Sequence, residues 1–327
     1  MTVMRRRAVA VGLAATVLQG VMLIAFAWPA SNLEPRDVPV AVAGPQAAAV
    51  AAHLSRRHPD AFEIVTVADA AGARQVIADR GVYGAIVTGA PSGEGGPHVL
   101  IASAASPSVA QQLTRIAQQL SGASAASVED VVGTDPDDPN GGGFAAMTLP
   151  LVVSSLAVGY LLALVVPSMR ARLVGLATYA VAAGLSSTAI VAGWLSLLPG
   201  PYFVLAAVIG LISFAVSATI VAFGAVAGRV GLGIAGLTFL LLGNPLSAAS
   251  TGPEMLPRPW GALGQLLPPG AGASLLRSAA FFDSAGAAGP IAILLAWAVT
   301  ASTVLALGTF RTRRFASTPA TEPVSAA

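Results

Sequence analysis

"GNPLSAASTGPEMLPRPWGALGQLLPPGAGASLLRSAAFF", residues 243–282, decides how the C-terminal part of this chain folds. It follows one long apolar run and precedes another. Its prolines break it too often for a single spanning helix, because an interior proline removes a hydrogen bond and clashes with the preceding turn. Its only charges are Glu254, Arg258 and Arg277, too few for an ordinary solvated loop. Non-helical backbone at membrane depth is tolerated only where protein buries it or where it lines a wet cavity. A re-entrant helical hairpin over 249–286 meets that condition. Pro253 opens its first arm, with Glu254 near a helix start, where an anion is favoured. Pro259 falls early in that arm's helix and Trp260 suits a membrane interface. "PPGA" at 268–271 supplies the turn, and "GASLLRSAAFF" the returning arm. The alternative is an amphipathic loop lying flat in the interface. The candidate residues of this segment are Asn244, Pro245, Pro253, Glu254, Pro257, Trp260, Pro268, Pro269, Gly270 and Arg277.

The surrounding composition supports a membrane setting. Hydrophobic residues make up 55% of the 327-residue chain and charged residues 10%, with a mean hydropathy of +0.76. Soluble domains carry about 25% charged residues, so the chain reads as a multi-spanning membrane protein with the lipid bilayer as its partner. The net charge of +2 is then no argument for nucleic-acid binding. A hydrocarbon core about 30 Å thick needs roughly 20 apolar residues of helix. Six stretches qualify: 8–29, 144–166, 173–198, 202–227, 230–248 and 287–310, none containing Asp, Glu, Arg or His. The first is longer than the 7–15 residues of a signal-peptide core, which favours an uncleaved anchor, although "AFA" at 25–27 offers a cleavage site.

Arginine placement sets the orientation. Every Lys-or-Arg position is arginine, which together with abundant alanine and glycine suggests a GC-rich bacterial genome. Arg5, Arg6, Arg7, Arg170, Arg172, Arg229, Arg311, Arg313 and Arg314 all fall on one side of a six-span topology. The only acid there is Glu322, in a tail (311–327) that reads as disordered. The positive-inside rule places that side, and both termini, in the cytoplasm of a bacterial plasma membrane.

Residues 31–143 then lie outside. Strand patterns at 38–44, 62–67, 82–89 and 98–105 alternate with helix patterns at 45–58, 69–80 and 106–122. Pro45 marks a helix start and Asp69 an N-cap. The order β-α-β-α-β-β-α suggests a small α/β domain with a mixed sheet. The predicted fold is thus a six-helix membrane bundle (144–310 after a first span in 1–30), with an inserted extracytoplasmic α/β domain and a re-entrant hairpin before the last span.

Chemical motifs are sparse. The absence of cysteine excludes thiolate chemistry and disulfides. His53, His58 and His98 lack zinc-ligand spacing. "EDVVGTDPDDPNGGG" (129–143) is acidic but lacks an EF-hand pattern, so a connector is preferred to a calcium loop. Neither a nucleophile elbow nor a phosphate-binding loop is present. No enzyme activity, cofactor or metal is expected. The spans hold no ionisable relay of the kind ion-coupled transporters use, so any transport draws its energy from another subunit. Gly184, Thr188 and Ala192, and likewise Ser213 and Ser217, form small-residue faces suited to close helix packing. Glu254 and Arg277 are the best outside candidates for a functional polar pair, with interfacial snorkelling as the plain alternative.

The layout resembles that of ABC-2 type transporter permeases, more narrowly the YhgE/Pip-like branch, in which an outside domain is inserted between the first two spans. The resemblance rests on Pro253 to Leu256, Leu267 to Gly270, and Leu276 with Arg277, which look like the family's segment before the last span, and on "VPVAVAG" at 38–44, which looks like its first outside strand. It implies a permease that pairs as a homodimer or with a similar permease, and that works with a cytoplasmic ABC ATPase to export a hydrophobic or envelope-related substrate. The ATPase would be met by short cytoplasmic elements, here Pro167, Arg170, Arg172 and, more weakly, Arg229. The competing reading is a non-transporting envelope receptor, scaffold or accessory protein acting through 31–143. A membrane enzyme stands third.

Overall fold

The computed structural model describes residues 2–89, 98–121, 127–135, 138 and 141–316. Residues 38–130 hold a five-stranded sheet in the order β2-β1-β3-β4-β5. The central β1 (Val38–Ala43) pairs in parallel with β2 (Phe62–Val67) and β3 (Gly84–Val87), through crossover helices α2 (Ala47–Arg57) and α3 (Ala70–Ala78). β4 (His98–Ile101) runs antiparallel to β3, and β5 (Ser127–Asp130) parallel to β4, after α4 (Pro107–Ser121).

Alternation along β1 divides its side chains between two layers, as the strand period of two requires. Val38, Val40 and Val42 pack with Leu54 of α2 and Val109 and Leu113 of α4. Ala41 and Ala43 pack with Ala73 and Ile77 of α3 on the other face. The expected strands and helices are present with small changes at their ends. Asp69 caps α3 by accepting from the Gly72 amide at 2.8 Å. Pro45 is not the helix start; α2 begins at Ala47. The acidic stretch from residue 129 is not all connector, because it begins inside β5. The turn expected between β3 and β4 lies mostly in 90–97, outside the described residues.

Among the described residues, five helices are long and apolar enough to cross a membrane by length and composition. They are α1 (Thr2–Ser31), α5 (Gly142–Val165), α6 (Met169–Thr188, extended by a π turn to Trp194), α7 (Tyr202–Leu237, extended by a π turn to Gly243) and α10 (Ala288–Ala316). The count is one fewer than the six expected stretches because the fourth and fifth are joined in one 42-residue helical run. A straight helix of that length would reach about 63 Å, twice the hydrocarbon thickness. The run is not straight. Gly228 has φ 56° and ψ −137°, outside the helical region, and a Cβ on Gly231 would overlap the Phe223 carbonyl. Residues eight apart touch only if the chain doubles back. Val216 and Ile220 accordingly share a core with Leu232, Ala235 and Phe239.

Two further expectations are corrected. The fifth stretch was placed to residue 248, but helix ends at Gly243 and a 3-10 turn, Pro245–Ser247, follows. The tail from 311 was read as disordered, but α10 continues to Ala316; residues 317–327 lie outside the described part.

The small-residue faces are used within the chain. A Cβ on Gly184 of α6 would overlap the Ala206 carbonyl of α7, so this glycine permits the closest approach of the two helices. Thr188, Ser213 and Ser217 are buried as well, and Gly159 of α5 approaches the Ser217 carbonyl. By contrast, α1 is exposed along its apolar length and meets the bundle near Phe26, Pro29 and Leu33.

Residues 243–282 form a helical hairpin whose second arm is buried and whose first arm is half exposed, with Leu263 and Leu266 at the surface, in a different internal layout from the one expected. Pro253–Met255 is a single 3-10 turn, followed by the short α8 (Trp260–Gln265) and α9 (Pro268–Phe281). Pro259 is the N-cap of α8 rather than part of the helix. Pro268 and Pro269 do not form the turn; they open α9, where a missing N–H costs nothing and the fixed φ suits the helix. The turn falls at Leu266 and Leu267. Leu267 packs against a core that holds Val152 and Val216, midway along α5 and the first arm of α7, and Phe239, near the end of the second arm. At the opposite end, Phe282 is buried in the α3 face of the sheet. The hairpin therefore starts and finishes at the sheet end and reaches the middle of the bundle. Residues 268–273 and 275–280 are buried, which is not the environment of a loop lying flat on a bilayer.

A cationic cavity between the sheet and the hairpin

The sheet and hairpin are joined by backbone pairing. The Glu34 and Arg36 amides donate to Met255 and Glu254 carbonyls at 3.1 and 3.0 Å. The Arg36 guanidinium donates to the Met255 carbonyl at 3.1 Å, and Arg258 pairs with Asp37. This clamp fixes Glu254 beside Tyr83, at the end of the sheet where β3 begins.

Above the hairpin lies a cavity of about 350 Å³, whose polar lining is Arg80, Tyr83, Glu254, Gln265, Ser274 and Arg277. Arg80 ends α3 in a left-handed conformation, φ 59°, a position where helices usually place glycine. Holding a β-carbon there costs on the order of 1 kcal/mol, which its contacts offset. Its guanidinium donates to the Ser274 carbonyl at 3.1 Å and Ser278 Oγ at 2.7 Å, and lies 5.3 Å from the Phe282 ring centre. Tyr83 precedes β3 and donates its hydroxyl to Glu254 Oε2 at 2.6 Å. Arg277 is 4% exposed, donates to the Ala249 carbonyl at 2.6 Å and lies 4.7 Å from the Phe144 ring centre.

Charge is unbalanced here. Among the described residues neither Arg80 nor Arg277 has a carboxylate within ion-pairing distance, and Glu254 is held by Tyr83 instead. Burial lowers the pKa of Arg80 and raises that of Tyr83, the latter further through the Glu254 carboxylate beside it. Tyr83 therefore stays a proton donor and Glu254 remains occupied. Two guanidinium groups against one engaged carboxylate make the cavity receptive to an anion.

Glu254 and Arg277, the expected polar pair, line one cavity without bonding to each other. Arg277 does not snorkel; it is buried. Ser274 Oγ donates to Gln265 Oε1 at 2.6 Å, linking the two arms. Arg80 and Tyr83 were not anticipated, since their partners lie 194 and 171 residues away in sequence. The only local mark was a charged residue before Gly81 at a helix end. Trp260, Pro257 and Gly270 shape the hairpin without lining this cavity, and Asn244 and Pro245 line a separate crevice against α1.

The candidate ATPase-contact residues gather at the far end of the bundle. Arg172 donates to the Val166 and Ala163 carbonyls at 2.7 and 2.8 Å, satisfying the open C-terminus of α5. That makes it a structural cap. Pro167 and Arg170 are exposed beside it, and Arg229 is exposed at the Gly228 reversal. Gly224, just before that reversal, approaches Ala163, so both turns share one end. The acidic stretch offers no open calcium loop in its described part. Glu129 is held by Arg74 and His98, Asp130 accepts from the Ser103 amide, and Asp138 accepts from the Gly143 and Phe144 amides at the start of α5.

Comparison of the chain with family models, with curated proteins and with solved structures finds no match. The ABC-2 reading therefore rests on chain layout and the quoted motifs.

Proposed function

We propose that this chain is the membrane subunit of an exporter of the ABC-2 type, without catalytic activity of its own, drawing energy from a separate cytoplasmic ATPase. The observation that carries the reading is the anion-receptive cavity where the sheet meets a hairpin buried to mid-bundle. Such a place suits the capture or release of a substrate at the outer face. The two arms of Tyr202–Gly243 then count as two spans, giving six in all. The second arm, about 22 Å long, is shorter than the hydrocarbon core, and the hairpin fills the depth beside its end. The sheet lies outside, the Arg170 and Arg229 turns lie in the cytoplasm, and the membrane is a bacterial plasma membrane with a second permease copy or homologue as partner.

The test is purification of the tagged full chain from its host in mild detergent. The expected result is a co-purifying ATP-hydrolysing subunit that is lost with Arg170→Glu and Arg229→Glu. Substrate export by the reconstituted chain without any ATPase would refute the proposal. One observation favours the receptor or scaffold reading: only residues 166–168 connect α5 to α6, and the α7 reversal turns at a single glycine. Capture of an envelope partner through the sheet, with no ATPase, is the outcome that reading requires.

A further inference from the structure

α10 carries a second cavity on the same face as the first. Pro290 and Ile293 line the cationic cavity. Trp297, Thr300 and Val304, continuing at three- and four-residue steps, line a groove of about 280 Å³ against both arms of α7. Positions so spaced stack along one side of a helix. The groove's other walls include Ala222, Phe223 and Ile234, and its only polar side chains are the hydroxyls of Thr219 and Thr300. Trp297 stands between the two cavities, fixed by donating Nε1–H to the Leu266 carbonyl at 2.9 Å and by an edge contact to Phe239. A cationic chamber followed one helical turn later by an apolar groove has the polarity order of a lipid.

We propose that the two cavities form one binding site for an anionic phosphodiester lipid, with phosphate oxygens accepting from Arg80 and Arg277 and an acyl chain lying along α10. The charge count sets the class of ligand. Two arginines and Glu254 leave one net positive charge, which matches a monoanionic head. Arg80 and Arg277 are anchored by protein carbonyls, Ser278 Oγ and aromatic faces, and neither is ion-paired with a carboxylate lining this cavity; Arg277 also borders a separate, much smaller pocket with Asp135 and Asp138. An oxyanion in the larger cavity supplies the missing partner. Guanidinium groups suit this because their forked donors match phosphate geometry. The mouth runs past Gly286 and Gly289, and a Cβ on Gly289 would meet nothing within 4 Å, so the wall beside α10 is open. The inference rests on the exporter reading for its purpose, as the class of substrate carried, and on geometry alone for its binding.

The test titrates the detergent-purified full chain with phosphatidylglycerol, phosphatidylcholine or inorganic phosphate and reads bound mass by native mass spectrometry. Phosphatidylglycerol is expected to bind about tenfold or more tighter than phosphatidylcholine, which carries the same phosphodiester but adds a quaternary ammonium that a net-positive cavity repels. Arg80→Asn removes the cation while tolerating the left-handed backbone, and should erase that preference. Thr300→Trp fills the groove from an exposed position, and should weaken phosphatidylglycerol about tenfold while leaving inorganic phosphate unchanged. Equal binding of the two lipids, or an unaltered preference in folded Arg80→Asn protein, overturns the proposal. So does phosphatidylglycerol binding indifferent to Thr300→Trp, which would make free phosphate the ligand. Lost lipid preference with the ATPase still captured sinks this inference alone; retained preference with no ATPase sinks the exporter reading alone.

Discussion

Two glutamates of this chain meet arginine in opposite ways. Glu129, on the edge strand β5, takes two hydrogen bonds from Arg74 at 2.8 and 2.9 Å and another contact from His98 at 3.0 Å. All three are at the sheet surface and their charges are matched. Glu254, at the junction of sheet and hairpin, faces Arg80 and Arg277 across a cavity yet bonds to a tyrosine. The surface cluster spends its charges on itself, and solvent screens what remains, so such pairs contribute little to stability. The interior cluster keeps two cations without carboxylates in a place where desolvation is costly. An arrangement that is expensive to bury and incomplete as built is the better candidate for function.

The interior cluster depends most heavily on the hairpin. A Cβ on Gly264 would overlap the Leu246 carbonyl, so Gly264→Val should cost about 3 kcal/mol or more, read as a lowered unfolding midpoint in detergent. Unchanged stability would mean that the hairpin does not pack as described. Tyr83→Phe comes next. It strips Glu254 of its donor and should destabilise by about 2 kcal/mol, the scale of a hydrogen bond to a charged group; a neutral result would detach Glu254 from the cavity's architecture. Arg277→Met keeps volume and removes the buried charge, so stability should be unchanged or higher by about 1 kcal/mol, while anionic-lipid preference falls. Marked destabilisation would recast Arg277 as a structural residue.

The smallest effect is expected at Glu129. The Arg74 hydrogen bond, then His98, lower its pKa from 4.5 to about 2. A depressed carboxylate pKa contributes stability above its unfolded value and loses that contribution as pH falls through the folded one. The contribution should therefore be whole above pH 4.5 and fade toward pH 2, with only a slight midpoint change given its exposure. In Glu129→Gln the part of the acid limb between those values should flatten, as a pH series of unfolding midpoints will show.

Local patterns carried much of the fold. Alternation in "FEIVTV" and the cap at Asp69 each express a short-range rule, and those elements stand where the rules put them; the long apolar runs became helices as well, but the fourth and fifth joined in one run broken at Gly228. β5 was missed because "SVED" is a short, mostly exposed edge strand with no apolar alternation to mark it. The arm boundaries of the hairpin were misplaced because prolines permit either a turn or a helix start, and packing of Pro269 against Gly243 decides between them. The site was half legible. Glu254 and Arg277 stood out as charges in an apolar segment, whereas Arg80 and Tyr83 resemble any surface residues until the fold brings them under the sheet.

The most direct measurement uses the chain's lack of native cysteine. Single cysteines placed at Asp283, Leu267 and Arg229 would be challenged in intact cells with a membrane-impermeant maleimide, then again after permeabilisation. A hairpin that leaves and returns to the sheet side predicts labelling of Asp283 from outside, of Arg229 only after permeabilisation, and of Leu267 in neither case. Labelling of Leu267 from either side, or of Arg229 in intact cells, would contradict it.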